Sequence, residues 1–128
     1  MRMSAHEWKT RCVVSLLCLF FGCDENEASR RYPDVFNAAP SARDSIMLAY
    51  PLEDQIEIYL LGIRYRHPPA IYLGQTLALH GEKILPDMVR RLDNAKEDWE
   101  KRYLLFVLGY MSCWEVDLSE REEIIEAA

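Results

Sequence analysis

Residues 51–65 constrain the fold more than any other stretch. Leu52, Ile56, Tyr59, Leu60 and Ile63 recur at helical spacing, and Ile58, Leu61 and Tyr65 draw a second apolar line around the same axis. A helix that is apolar on two sides needs neighbours on both. Pro51 suits a first helical position, where its missing N–H costs nothing. Glu53 and Asp54 face the positive end of the helix dipole. Pro68-Pro69 then stops the helix, because the residue before a proline avoids helical angles.

The chain supplies the neighbours. Residues 71–80 predict a shorter helix with Leu73, Leu77 and His80 on one face, closed by Gly81 in a left-handed cap. Residues 82–93 predict another, lined by Leu85, Met88, Val89 and Leu92. Pro86 falls late for a first turn, so its start is irregular or its axis bent. Asn94 and Glu97 have capping-box spacing ahead of the longest helix, residues 95–113. Its broad face holds Trp99, Tyr103, Phe106, Val107, Tyr110 and Met111. Asp117 and Glu120 repeat the box before a last helix with Leu118, Arg121, Ile124 and Ile125. Residues 45–50 fit one helical turn or an extended piece. No sustained alternation and no Asn-Gly or Asp-Gly turn argues for a strand. The expected fold is all-α, a small antiparallel helical bundle or a short array of helix pairs.

The N-terminus has a different character. In KTRCVVSLLCLFFGC, residues 9–23, the cations Lys9 and Arg11 precede an uncharged run from Cys12 to Cys23. Asp24, Glu25 and Glu27 follow at once. That order is that of a secretory signal peptide, and the run is short of the ~20 residues a membrane span needs. A buried core helix or a peripheral membrane helix is the competing reading. Leu19-Phe20-Phe21-Gly22-Cys23 resembles the lipobox of bacterial lipoproteins, in which a small residue precedes the lipidated cysteine. Gly22 and Cys23 match that pattern, and Phe20 and Phe21 depart from it. The resemblance implies cleavage after residue 22, a diacylglycerol and an acyl chain (palmitate, for example) on Cys23, and residence in the cell envelope. Asp24 matches the residue that favours the inner membrane in enteric members. The expected organisation is a signal peptide over 1–22, the lipidated cysteine and a linker over 23–44, and the helical domain over 45–128. The linker region is polar, carries Pro33 and Pro40 and shows no period. Tyr32, Val35 and Phe36 are too apolar for a spacer, so they dock on the domain or form a short binding segment.

An internal echo adds a second resemblance. Glu53-Asp54, four residues, then Tyr59-Leu60-Leu61 returns as Glu97-Asp98, four residues, then Tyr103-Leu104-Leu105, with Ile63 matched by Val107. The offset of 44 residues is similar to the period of HEAT and armadillo repeats. Residues 80–92 likewise resemble the second half of a HEAT-type pair. That likeness implies a protein-binding scaffold, although two units are fewer than such arrays use.

Charge narrows the partners. The chain carries −6, and loss of Arg2, Glu7, Lys9 and Arg11 with the leader would make it −8. Nucleic acid is disfavoured, since phosphates call for a basic stripe; a basic protein partner is permitted, with a solvated acidic surface as the plainer reading. Glu53, Asp54, Glu57 and Glu97 are the candidate partner-binding acids. Arg64 and Arg66, beside His67, form a local cationic patch that could receive an anion, with pairing to Glu53, Glu57 or the linker acids as the plainer account. Among the aromatics, Trp99, Tyr103, Tyr110 and Trp114 could shape a ligand groove, although such a stripe is more often core. Three of the four cysteines precede Asp24, so Cys113 is expected as a buried, inert thiol. No Gly-rich phosphate loop, nucleophile elbow or zinc-ligand spacing is present, and no catalytic residue, metal or cofactor is expected. His67 and His80 are expected in surface or capping roles. The resulting expectation is a membrane-anchored envelope lipoprotein with a helical protein-interaction domain. An immunity or inhibitor protein against a basic toxin enzyme, and an envelope enzyme without a recognisable motif, are the alternatives.

Overall fold

The computed structural model describes residues 25–113 and 122–127. Cys23 with the apolar run before it, and residues 114–121, lie outside them. Every element among the described residues is helical, as the periodicity predicts: α1 (Glu25–Arg31), α2 (Pro33–Phe36), α3 (Pro40–Met47), α4 (Leu52–Tyr65), α5 (Tyr72–Ala78), a 3-10 turn (Gly81–Ile84), α6 (Leu85–Asn94), α7 (Asp98–Cys113) and α8 (Glu122–Ala127). Among them, no helix is long and apolar enough to cross a membrane.

Helix α4 is the centre. Both of its apolar lines are used: Ile56, Tyr59, Leu60 and Ile63 on one, Ile58, Leu61 and Tyr65 on the other, all buried. Helices α1, α5 and α6 pack against it. Gly62 lets the chain after α4 fold back closely, with the Ala70 N–H donating to the Gly62 carbonyl at 3.2 Å. A Cβ at Gly62 would lie 3.0 Å from that of Ala70. The helix ends at Tyr65 with Arg66 extended ahead of the two prolines.

The linker reading fails for residues 25–44. Most of that segment is helical, and Ala28, Tyr32, Val35 and Phe36 are core residues. Pro33 and Pro40 open α2 and α3 instead of breaking the chain, because a first-turn proline loses no helical hydrogen bond. Such short helices leave no room for a period to show. The docking alternative holds and is fixed by polar contacts: the Tyr32 hydroxyl donates to Asp54 Oδ1 at 3.0 Å, and Arg66 Nη2 donates to Ser29 Oγ at 2.6 Å and to the Phe36 carbonyl at 2.8 Å. The folded body therefore includes Glu25 onward.

Two helix starts also differ in detail. Gly81 is left-handed, with φ of 59°, and a 3-10 turn follows before Pro86 takes an early position in α6, so the start is irregular and no bend is required. Asn94 does not cap α7. It is the last residue of α6, where its Nδ2 donates back to the Arg90 carbonyl at 2.8 Å. Extended Ala95 then breaks the path, and the Glu97 carbonyl accepts the Lys101 N–H at 3.3 Å to begin α7.

Candidate binding surface

The charged residues singled out in the sequence divide by what they touch. Glu57 is engaged on both oxygens, by Arg31 Nη1 at 2.7 Å and Arg91 Nη2 at 2.8 Å. Arg91 Nε reaches Glu100 Oε1 at 2.7 Å, so a chain of four alternating charges ties α1, α4, α6 and α7 together. Partial burial works against the Arg91 charge, but its bonds to Glu100 and Glu57 outweigh that and hold its pKa above the ordinary arginine value. Asp54 accepts from Tyr32, and burial together with that carboxylate pushes the Tyr32 phenol up to about 12. Asp54 and Glu57 are thus both engaged within the molecule. Glu53 and Glu97 are exposed. Glu53 borders a shallow polar cleft of about 210 Å³ with Asp87, Arg90, Arg91 and Asn94, in which Arg90 pairs with Asp87.

Among the described residues, neither Arg64 nor Arg66 forms the expected pair with a carboxylate. The Arg64 guanidinium lies 5.6 Å from the Trp99 ring centre and 5.2 Å from that of Tyr65. Arg66 combines its hydrogen bonds with a seat 5.2 Å from the Phe36 ring centre. Both are used in packing α4 against other parts of the chain, since a guanidinium carries its charge on a plane that stacks on rings.

His80 is half-buried at the N-cap position of the 3-10 turn, and its side chain makes no capping hydrogen bond. Its Nε2 lies 2.7 Å from Gln55 Oε1. Gln55 is buried and its Nε2 donates to the Tyr50 carbonyl at 2.7 Å, which leaves Oε1 as an acceptor and makes His80 Nε2 the donor. Burial, then the nearby Lys83 charge, lowers the His80 pKa.

A larger opening than the Glu53 cleft lies elsewhere. It is a groove of about 620 Å³ between α3, α5 and α7, walled by Asp44, Tyr72, Thr76, Leu79 and Tyr110. Gln75 Nε2 donates to the Tyr110 hydroxyl at 3.2 Å across it. The Phe106 ring meets the Tyr110 ring edge-on at 4.8 Å and carries the apolar surface outward. Leu79 is 67% exposed and Phe106 46%. Asp44 Oδ1 is closed off from solvent without a hydrogen-bond partner. Cys113 is at the rim, exposed, which corrects its expected burial. The buried line of α7 runs through Leu104, Val107, Leu108 and Met111, and position 113 points away from it.

Of the groove residues, Tyr110 alone is suggested by the sequence as part of a ligand groove. Its other walls come from helices far apart in the chain, and an exposed leucine such as Leu79 carries no local signal. Among the described residues, no group of three or more His, Cys, Asp or Glu side chains is arranged to hold a metal ion. No protein-family model, curated protein or solved structure matches this chain.

Proposed function

We propose that this chain is a helical binding module that takes a protein partner, held at a membrane of the bacterial envelope by lipid on Cys23, and that it acts by binding and not by catalysis. The observation that supports binding is the exposed apolar surface of Leu79 and Phe106, with half-buried Tyr72 and Tyr110, beside a ligand-sized groove. The support for the anchor is the lipobox-like Gly22-Cys23 after the uncharged run.

Crosslinking in native membranes tests the binding half. A discrete partner adduct is expected that Leu79→Glu abolishes and Glu97→Ala leaves in place. An adduct insensitive to Leu79→Glu overturns the assigned surface. For the anchor, Cys23→Ala is expected to remove acyl-chain labelling, and unchanged labelling in that variant overturns it. A second reading, inhibition of a basic enzyme, rests on the −6 charge and on exposed Glu53 and Glu97. It requires a complex that weakens steeply with salt.

A further inference from the structure

We infer that Arg43 and Arg66 form an anion site that takes a single phosphate group, where α1, α2, α3 and the chain after α4 meet. The inference goes beyond the binding-module reading and stands without it.

Arg43 Nη2 and Arg66 Nη2 both donate to the Phe36 carbonyl, at 3.4 and 2.8 Å, so the two cations are held within two hydrogen-bond lengths of each other. Neither forms an ion pair with a carboxylate of the described residues, although the chain is acidic overall. Like charges this close repel, and a shared carbonyl, with only a partial charge, does not cancel two of them. An anion does. Donors to receive it are present. Both residues are half-buried, and their Nε atoms are closed off from solvent. Arg66 Nη1 is not closed off, and it makes no hydrogen bond among the described residues. Ser29 Oγ accepts from Arg66 at 2.6 Å and the Tyr72 hydroxyl accepts from Arg43 at 3.1 Å, so each keeps its own O–H to donate. Two guanidiniums and two hydroxyls suit a doubly charged group with oxygens on several sides, which describes phosphate better than carboxylate. Arg64, close to Arg66 in sequence, is turned to the Trp99 ring and takes no part. The net charge of −6 repels extended polyanions, which leaves a single phosphate, free or on a lipid headgroup.

The test is titration calorimetry of the full chain in detergent micelles at constant ionic strength. One titrant is inorganic phosphate and the other is glycerophosphoglycerol, a lipid headgroup freed of its acyl chains. Saturable binding of at least one is expected. Tighter binding of inorganic phosphate assigns a free phosphate or monoester, and tighter binding of the other assigns a lipid headgroup. Arg43→Gln is expected to weaken binding about ten-fold or more, the weight of a charge-assisted hydrogen bond. Arg43→Lys, which keeps the charge and loses the planar fork, is expected to fall between the two. Far-UV spectra and thermal midpoints check that both variants fold. Arg90→Gln, whose arginine pairs with Asp87 on α6, is expected to bind as the parent does. Three results overturn the inference: no saturable binding of either titrant, an unchanged affinity in Arg43→Gln, or an equal loss in Arg90→Gln, since binding would then follow overall charge and not this pair.

Discussion

Helices α4 and α7 carry the same run, Glu-Asp, four residues, then Tyr-Leu-Leu, and occupy different surroundings. Leu60 and its counterpart Leu104 are both buried, as are Ile63 and Val107. The next positions separate them. Leu61 is 6% exposed and Leu105 37%, and Gly62, pressed against Ala70, has the exposed Phe106 as its counterpart. The hydroxyl of Tyr59 joins the two helices directly, donating to the Tyr103 carbonyl at 3.1 Å. Burial pushes the Tyr59 phenol upward, so it remains a neutral donor throughout the ordinary pH range. A stripe in sequence thus says which face is able to enter a core. How far round the helix burial extends depends on what comes to cover the other side. For α4 that cover is supplied by α1, α5 and α6.

The comparison can be broken by paired substitutions. Leu61→Ala should destabilise the protein by about 2–5 kcal/mol, the range for emptying a buried leucine site. Leu105→Ala should cost about 1 kcal/mol or less, as at other largely solvated positions. Equal losses in urea unfolding would show that the two second faces are alike after all. Glycines sharpen the contrast with a change of sign. Gly62→Ala should cost about 1–3 kcal/mol by overpacking against Ala70. Gly109→Ala on α7, where an added Cβ meets nothing within 4 Å, should gain about 0.5–1 kcal/mol from helix propensity. Thermal midpoints moving in the same direction would refute the packing difference.

The smallest expected effect concerns the link from Gln55 in α4 to His80. Because folding lowers the His80 pKa, the unfolded chain binds the proton more readily. Stability from this group is complete above the ordinary imidazole value of 6.5 and declines as pH falls below it toward the folded pKa. His80→Gln should flatten that part of the stability–pH curve. A slope identical to the parent's would remove His80 as its source.

The all-α fold was legible because α4 and the buried line of α7 repeat their apolar residues over several turns. The α1–α3 region was not, since helices such as Pro33–Phe36 are too short for a period and two of them begin with proline. The acids were legible only as charges. That Asp54 and Glu57 are bound internally depends on Tyr32, Arg31 and Arg91, which are 22 to 34 positions away in the chain. The groove was least legible, because Asp44 and Leu79 gain meaning only when α3, α5 and α7 come together.

The docking of α1 on α4 bears on how the protein would meet a bilayer. Under the lipid-anchor reading, the described chain nearest the attachment point is held to the body by buried Ala28 and Tyr32 and by the Arg31–Glu57 ion pair. A pull from the anchor would then reach α4, and the core around it, through those contacts.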